Sequence, residues 1–385
     1  MTLENKDFYN KCNLTLNPFR PNPIHETDPR SGIWASHDEQ REQLTKKLTS
    51  IRADQVGQSH CFIVYGELGA GKSHALLWAR HLVMHQSKEE FKSVAYYIQT
   101  IMYNGKISLA HAFDQFIVRK SELKKDLVSF RNFIKTQIQR YRQDNSISES
   151  QSEEDLLSDI LPSVDLTNFL KPLLSCDTEP KADEFIRANF SRSVWTDEEV
   201  VSLITQIINS FTFQFPSGHR FKNAVYLLID ELDTLLNISV KDGRLTNDKF
   251  RHLYDNSPEG LGLIFALTAT AAELPQIFSE AMLSRTSGMV ELHFFDQSQA
   301  KTFIKTVLNS YRVNHDDKSK LDFYPFDEDT IEQIISSITN VTPRKIMRNM
   351  HHIIEEVRIN EPNAEIIDWD IIEKIGLHDT FNDMQ

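Results

Sequence analysis

The sequence predicts an α/β fold, a parallel five-stranded sheet with helices on both faces, followed by a small all-α C-terminal unit. Three features predict it. Five short apolar runs alternate with stretches of helical spacing, a glycine-rich turn separates the first run from the helix after it, and the pattern from Phe295 onwards is helical. Strands that alternate with helices are joined by right-handed crossovers, which makes the sheet parallel and covers it on both sides.

The elements follow in order. Residues 1–35 include Asn17-Pro-Phe-Arg-Pro-Asn-Pro and are expected to run as an extended arm, because a residue before proline is driven out of the helical region. Residues 36–295 make the expected core, and 296–385 the α-helical lid. A helix is expected from Ser36 to about Ile51, with Ser36 or Asp38 as its N-cap. Cys61-Phe-Ile-Val-Tyr is a continuous apolar run and hence a buried strand. A helix from Lys72 to about Gln86 follows the glycine turn. Val94-Ala-Tyr-Tyr-Ile, Val225-Tyr-Leu-Leu-Ile, Leu263-Ile-Phe-Ala-Leu and Val290-Glu-Leu-His-Phe are the second to fifth strands.

Residues 120–195 break this rhythm and read as an insertion. Residues 119–143 carry eight basic and two acidic side chains, and 144–199 carry fourteen acidic and four basic ones. The Ser-, Glu- and Asp-rich span 144–159 is expected to be mobile.

Composition excludes several classes. Net charge is −13, which disfavours wholesale wrapping of nucleic acid but leaves room for a local basic contact. Cys12, Cys61 and Cys176 fit no zinc or disulfide spacing. No apolar run approaches the ~20 residues of a membrane span, and the polar start Met1-Thr-Leu-Glu-Asn-Lys-Asp does not read as a signal peptide. A cytoplasmic location without membrane contact is expected.

Gly66-Glu-Leu-Gly-Ala-Gly-Lys-Ser fits G-x-x-x-x-G-K-[ST], with a strand before it and a helix after it, as a phosphate-binding P-loop requires. The loop Gly66, Glu67, Leu68, Gly69, Ala70, Gly71, Lys72 and Ser73 would turn its amides around phosphates. The helix N-terminus adds partial positive charge. Lys72 would reach the β- and γ-phosphates of ATP and Ser73 would ligate Mg2+. A second motif, Val225-Tyr-Leu-Leu-Ile-Asp-Glu-Leu-Asp, ends a buried strand in carboxylates, at the sheet edge where ligands bind in such folds. Asp230 would hold the metal and Glu231 would deprotonate the attacking water. Asp233 reads as local capping or a partner contact.

Together these motifs resemble those of the AAA+ ATPases, so the resemblance implies a P-loop NTPase sheet with a helical lid. The segment leading into the core, where Asn17-Pro-Phe precedes His37-Asp-Glu-Gln-Arg-Glu-Gln-Leu, is similar to that of the origin-recognition, helicase-loader and transposition-regulator branch. The likeness spans residues 15–105 and 200–355. It implies that Thr270 or Thr268, near the end of the fourth strand, positions the lytic water; the spacing of Thr270 to Leu274-Pro favours Thr270. It implies an arginine finger offered to a neighbouring subunit, for which Arg285 stands in the matching place, and a lid arginine that senses the γ-phosphate, matched by Arg344 in Thr342-Pro-Arg-Lys. Residues 345–385 are too few for the winged-helix domain that many members of the branch carry, and the 120–195 insertion has no counterpart.

The expectation is therefore an ATP-hydrolysing switch that forms a homo-oligomer through its nucleotide site and acts on DNA or on a partner effector protein. DNA would be met by 119–143, where Arg131, Lys135, Arg140 and Arg142 are interleaved with Phe130, Phe133 and Tyr141. The alternative for that stretch is a solvated helix face packing through Phe and Ile. An alternative for the whole chain is a low-turnover adaptor that recruits a nuclease or transposase through acidic 144–199. A protein-remodelling motor would instead use Met102-Tyr-Asn-Gly as an aromatic loop.

Overall fold

The computed structural model describes residues 3–52, 54–55, 57–189, 195–377 and 381. Among these, the helices of eight or more residues are α1 (Leu3–Lys11), α2 (Asp38–Ile51), α3 (Lys72–His81), α4 (Glu122–Asp144), α5 (Glu153–Ile160), α6 (Glu179–Ala188), α7 (Asp197–Thr212), α8 (Val240–Asp255), α9 (Gln297–Asn309), α10 (Glu328–Ser337) and α11 (Pro343–Asn360). The strands β1 (His60–Gly66), β2 (Val94–Ile98), β3 (Val225–Ile229), β4 (Leu261–Thr268) and β5 (Thr286–Leu292) form one parallel sheet in the order β2-β3-β4-β1-β5. The chain divides into two compact units, one of residues 44–65 and 79–290, the other of residues 1–43, 66–78 and 291–385.

The first unit is built on the sheet. Every residue of β2 and β3 is buried, as expected for strands covered on both faces. Their register runs from Val94 opposite Val225 to Ile98 opposite Ile229, and β3 continues onto β4 with Ile229 opposite Phe265. The fifth strand starts at Thr286, earlier than the expected Val290, because its first half alternates between exposed and half-buried residues and shows no apolar run. The helix expected to reach Gln86 is α3 up to His81, followed by a π-helical turn over Leu82–Gln86.

The insertion is helical throughout its described length. In α4 the residues Leu123, Leu127, Phe130, Ile134 and Ile138 recur at helical spacing and are buried. Phe130 packs its ring 4.9 Å from that of Phe211 and 5.0 Å from that of Phe221. The second half of the span expected to be mobile, 144–159, is instead helical, forming α5 from Glu153 onwards. The Ser152 hydroxyl caps its N-terminus through the Asp155 amide, and Leu156, Leu157 and Ile160 are buried. The acidic composition hid three apolar residues on one face, enough to dock a two-turn helix.

The second unit is the helical lid with its own core. A capping box between Asp296 and Gln299 starts α9, and the stripe Ile346, Met350, Ile353, Ile354 and Val357 faces α11 inward. The arm expected to be wholly extended over 1–35 begins with α1 and belongs to this core: Phe8, Tyr9, Cys12, Leu14 and Phe19 are all buried there. Proline punctuates only the later part, so nothing prevents residues 3–11 from coiling. Asn17 fixes the junction. Its amide donates to Glu355 Oε1 at 2.8 Å and to the His351 carbonyl at 3.1 Å, while its own oxygen accepts from the Phe19 amide.

Candidate functional site

The glycine loop is crowded by backbone at Gly66 and by side chains at Gly69. Gly66 has φ +150°, and a Cβ there would lie 2.2 Å from the Leu292 carbonyl oxygen. At Gly69, with φ +83°, a Cβ would meet Arg344 Cβ at 3.1 Å and Thr342 Oγ1 at 3.2 Å. Lys72 is buried and turns its ammonium back on the loop, donating to the carbonyls of Gly66 at 3.0 Å and Glu67 at 2.8 Å. Ser73 is exposed in the first turn of α3, Glu67 and Leu68 are exposed, and Ala70 is buried.

The N-terminus of α11 rests on this loop. The Thr342 hydroxyl caps the helix by accepting from the Lys345 amide, Pro343 follows at the first helical position, and the Arg344 amide donates to the Gly69 carbonyl at 3.4 Å. Arg344 is exposed. A loop of three glycines at positive φ, a buried lysine and a helix N-terminus carrying an arginine form a donor set suited to an anion, and a polyphosphate fits it.

An aromatic cluster beside the loop was not anticipated. Trp34 stacks edge-on against Trp78 of α3 at 4.7 Å and donates its indole N–H to the His37 carbonyl. The His37 ring is 6% exposed, lies 4.7 Å from Phe295, and has no hydrogen bond at either nitrogen. Burial first, then the nearby His293, pushes its pKa down to about 4. Trp34 and Trp78 were visible as large residues flanking the motif, but no spacing rule joins them.

In the other unit, the acidic strand end is tightly held. Asp230 is buried; its Oδ2 accepts from the Tyr97 hydroxyl at 2.9 Å and its Oδ1 from the Glu231 amide at 2.8 Å. Glu231 takes the left-handed conformation, φ +55°, which costs a non-glycine residue about 1 kcal/mol or more. Desolvation by surrounding protein and the negative charge of Asp230 raise the Glu231 carboxyl above its ordinary range, against a hydrogen bond from Thr100. Asp233 has a local role: its carboxylate accepts from the Thr268 amide at 3.1 Å and ties this turn to the end of β4.

Thr270 lies beyond β4, and its hydroxyl and amide both donate to Glu273 Oε2, at 2.9 and 2.8 Å. Thr268 is the last residue of β4. Arg285 folds onto its own chain, with Nε and Nη2 on Asp255 and Nη1 on the Ala281 carbonyl. Met102-Tyr-Asn-Gly forms a hairpin with Lys106–Ile107, in which half-exposed Tyr103 stacks on His111 at 3.6 Å. Among the described residues no group of three or more His, Cys, Asp or Glu side chains could hold a metal. Magnesium with a nucleotide needs only one or two carboxylates, the rest of its shell being phosphate and water, and a single buried carboxylate such as Asp230 suits that need.

The basic stretch 119–143 is occupied within the insertion. Lys135 pairs with Glu153 at 3.1 Å and Lys124 with Asp183 at 3.0 Å, while Arg131 and Arg142 donate to the carbonyls of Leu174 and Gln151. With Phe130 buried and Phe133 packed against the core, the stretch is a helix face docked through Phe and Ile.

Fold and loop together define a P-loop type of α/β architecture with an all-α lid. The sequence matches no protein-family model and no curated protein. Among solved structures, the chain is similar to the Aeropyrum pernix ORC1 protein in complex with DNA, at 8% identity, 91% coverage of this chain, 67% of that one, and a TM-score of 0.48. It is similar also to Cdc6p from Pyrobaculum aerophilum (13% identity, 91% and 67% covered, TM-score 0.47). A third is domain III of the Thermotoga maritima replication initiation protein DnaA (13%, 92% and 98%, 0.42). At such identities the likeness is one of fold alone. No helix among the described residues is long and apolar enough to cross a membrane.

Proposed function

We propose that this chain binds ATP with magnesium and hydrolyses it, as an AAA+ molecular switch that assembles through its nucleotide site and acts on DNA or a partner effector protein. The observation that carries the reading is the buried Lys72 within a loop whose Gly69 carbonyl is capped by the Arg344 amide. Lys72 would exchange its carbonyl partners for the β- and γ-phosphate oxygens, and Arg344 would meet the γ-phosphate from the lid. Ser73 and Asp230 would hold magnesium, which supplies charge neutralisation on the phosphates.

Glu231 would take a proton from the attacking water. The water oxygen bonds to the γ-phosphorus as the bond from that phosphorus to the β–γ bridging oxygen breaks, leaving ADP and phosphate. A raised carboxyl pKa suits a general base. Thr270, whose hydroxyl proton is committed to Glu273, would position that water by accepting from it; Thr268 is the competing candidate. Arg285 would complete the site of a neighbouring copy. The Trp34, His37 and Phe295 cluster would lie against the base.

A second reading is an ATP-binding adaptor that recruits a nuclease or transposase. The internal pairing of Lys124 and Lys135 favours it, because Glu154, Asp155 and Asp159 are left exposed. Binding of a fluorescent ATP analogue with and without Mg2+ tests the nucleotide claim. Lys72→Ala should weaken binding about 10-fold or more, and Glu231→Gln should keep binding but lose about 100-fold in turnover. Equal affinity of Lys72→Ala and wild type would overturn the reading. Turnover that Glu231→Gln leaves unchanged would favour the adaptor, and particle images of Glu231→Gln with ATP, with and without duplex DNA, would identify the assembly.

A further inference from the structure

We infer that Tyr97 is a positioning residue for the metal-binding carboxylate Asp230; the inference rests on the nucleotide reading above. The parallel register explains why these two side chains meet. Tyr97 stands opposite Leu228, and side chains alternate along a strand, so Leu228 and Asp230 share the sheet face onto which Tyr97 projects. The phenol reaches the carboxylate diagonally and donates to Oδ2 at 2.9 Å, with both residues buried. The Glu231 amide holds Oδ1 at 2.8 Å. The carboxylate plane is thus set by one donor from β2 and one from the turn that follows β3. Outer donors of this kind fix the direction in which a ligand's remaining lone pair points.

The neighbouring residue supplies an internal control. Tyr96 stands opposite Leu227, projects to the opposite face, and donates to Asp126 of α4 at 2.7 Å. The two tyrosines are consecutive, lie on the same strand, and each donates to one carboxylate. Only one of those carboxylates ends a strand in Asp-Glu.

The test compares wild type, Tyr97→Phe and Tyr96→Phe, each of which removes one hydroxyl and keeps the ring. A fluorescent ATP analogue is bound first in EDTA and then across a Mg2+ titration, and Mn2+ binding is followed in parallel by electron paramagnetic resonance. Tyr97→Phe should bind nucleotide in EDTA like wild type but need about 10-fold more Mg2+ or Mn2+ for half-saturation. Tyr96→Phe should follow the wild-type metal curve even where its melting temperature falls. Coincident metal curves for Tyr97→Phe and wild type, or equal shifts for the two variants, would overturn the role of Tyr97 while leaving the nucleotide reading intact. A wild type whose nucleotide binding ignores Mg2+ would overturn both.

Discussion

Arg285 grips Asp255 with both ends of its fork, Nε 2.6 Å from Oδ1 and Nη2 2.9 Å from Oδ2. A guanidinium so engaged is turned toward its own subunit, and Asp255 raises its pKa further, so it never sheds its charge. Service to a neighbouring subunit therefore requires that this fork open. Asp255→Asn should lower the protein concentration at which ATP turnover reaches half its maximum, read by activity against dilution. Arg285→Ala should lose about 10³-fold in turnover at any concentration. Wild-type activity in Arg285→Ala would remove it from the site.

Backbone crowding at Gly66 leads to a second expectation. Gly66→Ala places a methyl group 2.2 Å from a main-chain oxygen at a positive φ, so the strand end must move. It should destabilise by about 1–3 kcal/mol or more and abolish nucleotide binding. Gly69→Ala meets mainly side-chain atoms at 3.1 Å and beyond and should be milder. Thermal unfolding of the two variants ranks them; a Gly66→Ala protein as stable as Gly69→Ala would contradict the geometry.

His37 makes a pH prediction. Its folded pKa is lowered to about 4 by burial, against about 6.5 in an unfolded chain, so the fold favours the neutral ring. That preference stabilises the protein fully above pH ~6.5 and is lost as pH falls from there towards 4, by about 2–3 kcal/mol in all. His37→Phe should flatten the denaturant-midpoint profile between those limits. An unchanged profile would mean that other groups govern acid stability.

The insertion can be tested by charge removal. Replacing Arg131, Lys135, Arg140 and Arg142 by alanine deletes the Lys135–Glu153 pair and the bonds to Leu174 and Gln151. The variant should melt earlier and bind duplex DNA across a salt series as wild type does. A loss of salt-dependent binding would restore the DNA reading of this helix.

The parts of the fold that could be read in advance were those where local chemistry leaves one solution. Val225-Tyr-Leu-Leu-Ile admits no face for water and so had to be a central strand, and a methyl at Gly66 would run into the main chain. Alternation hid the start of β5 at Thr286, since an edge strand buries only one face. The burial of α1 depends on residues more than 300 positions away, such as Glu355, which no local pattern registers. Likewise Thr270 could be placed near a strand end by spacing, but its bond to Glu273 and the hold of Asp255 on Arg285 are tertiary facts.

The seat of Asn17 and Tyr9 on Glu355 also dictates an order of events during synthesis. Phe8, Tyr9 and Phe19 leave the ribosome long before the helices that cover them, which begin at Gln297. Until then these rings stay in water or under a chaperone's protection, while the sheet can already close behind them. Cys12 in stalled nascent chains should stay open to a thiol reagent until Val357 has cleared the exit tunnel, and be protected afterwards.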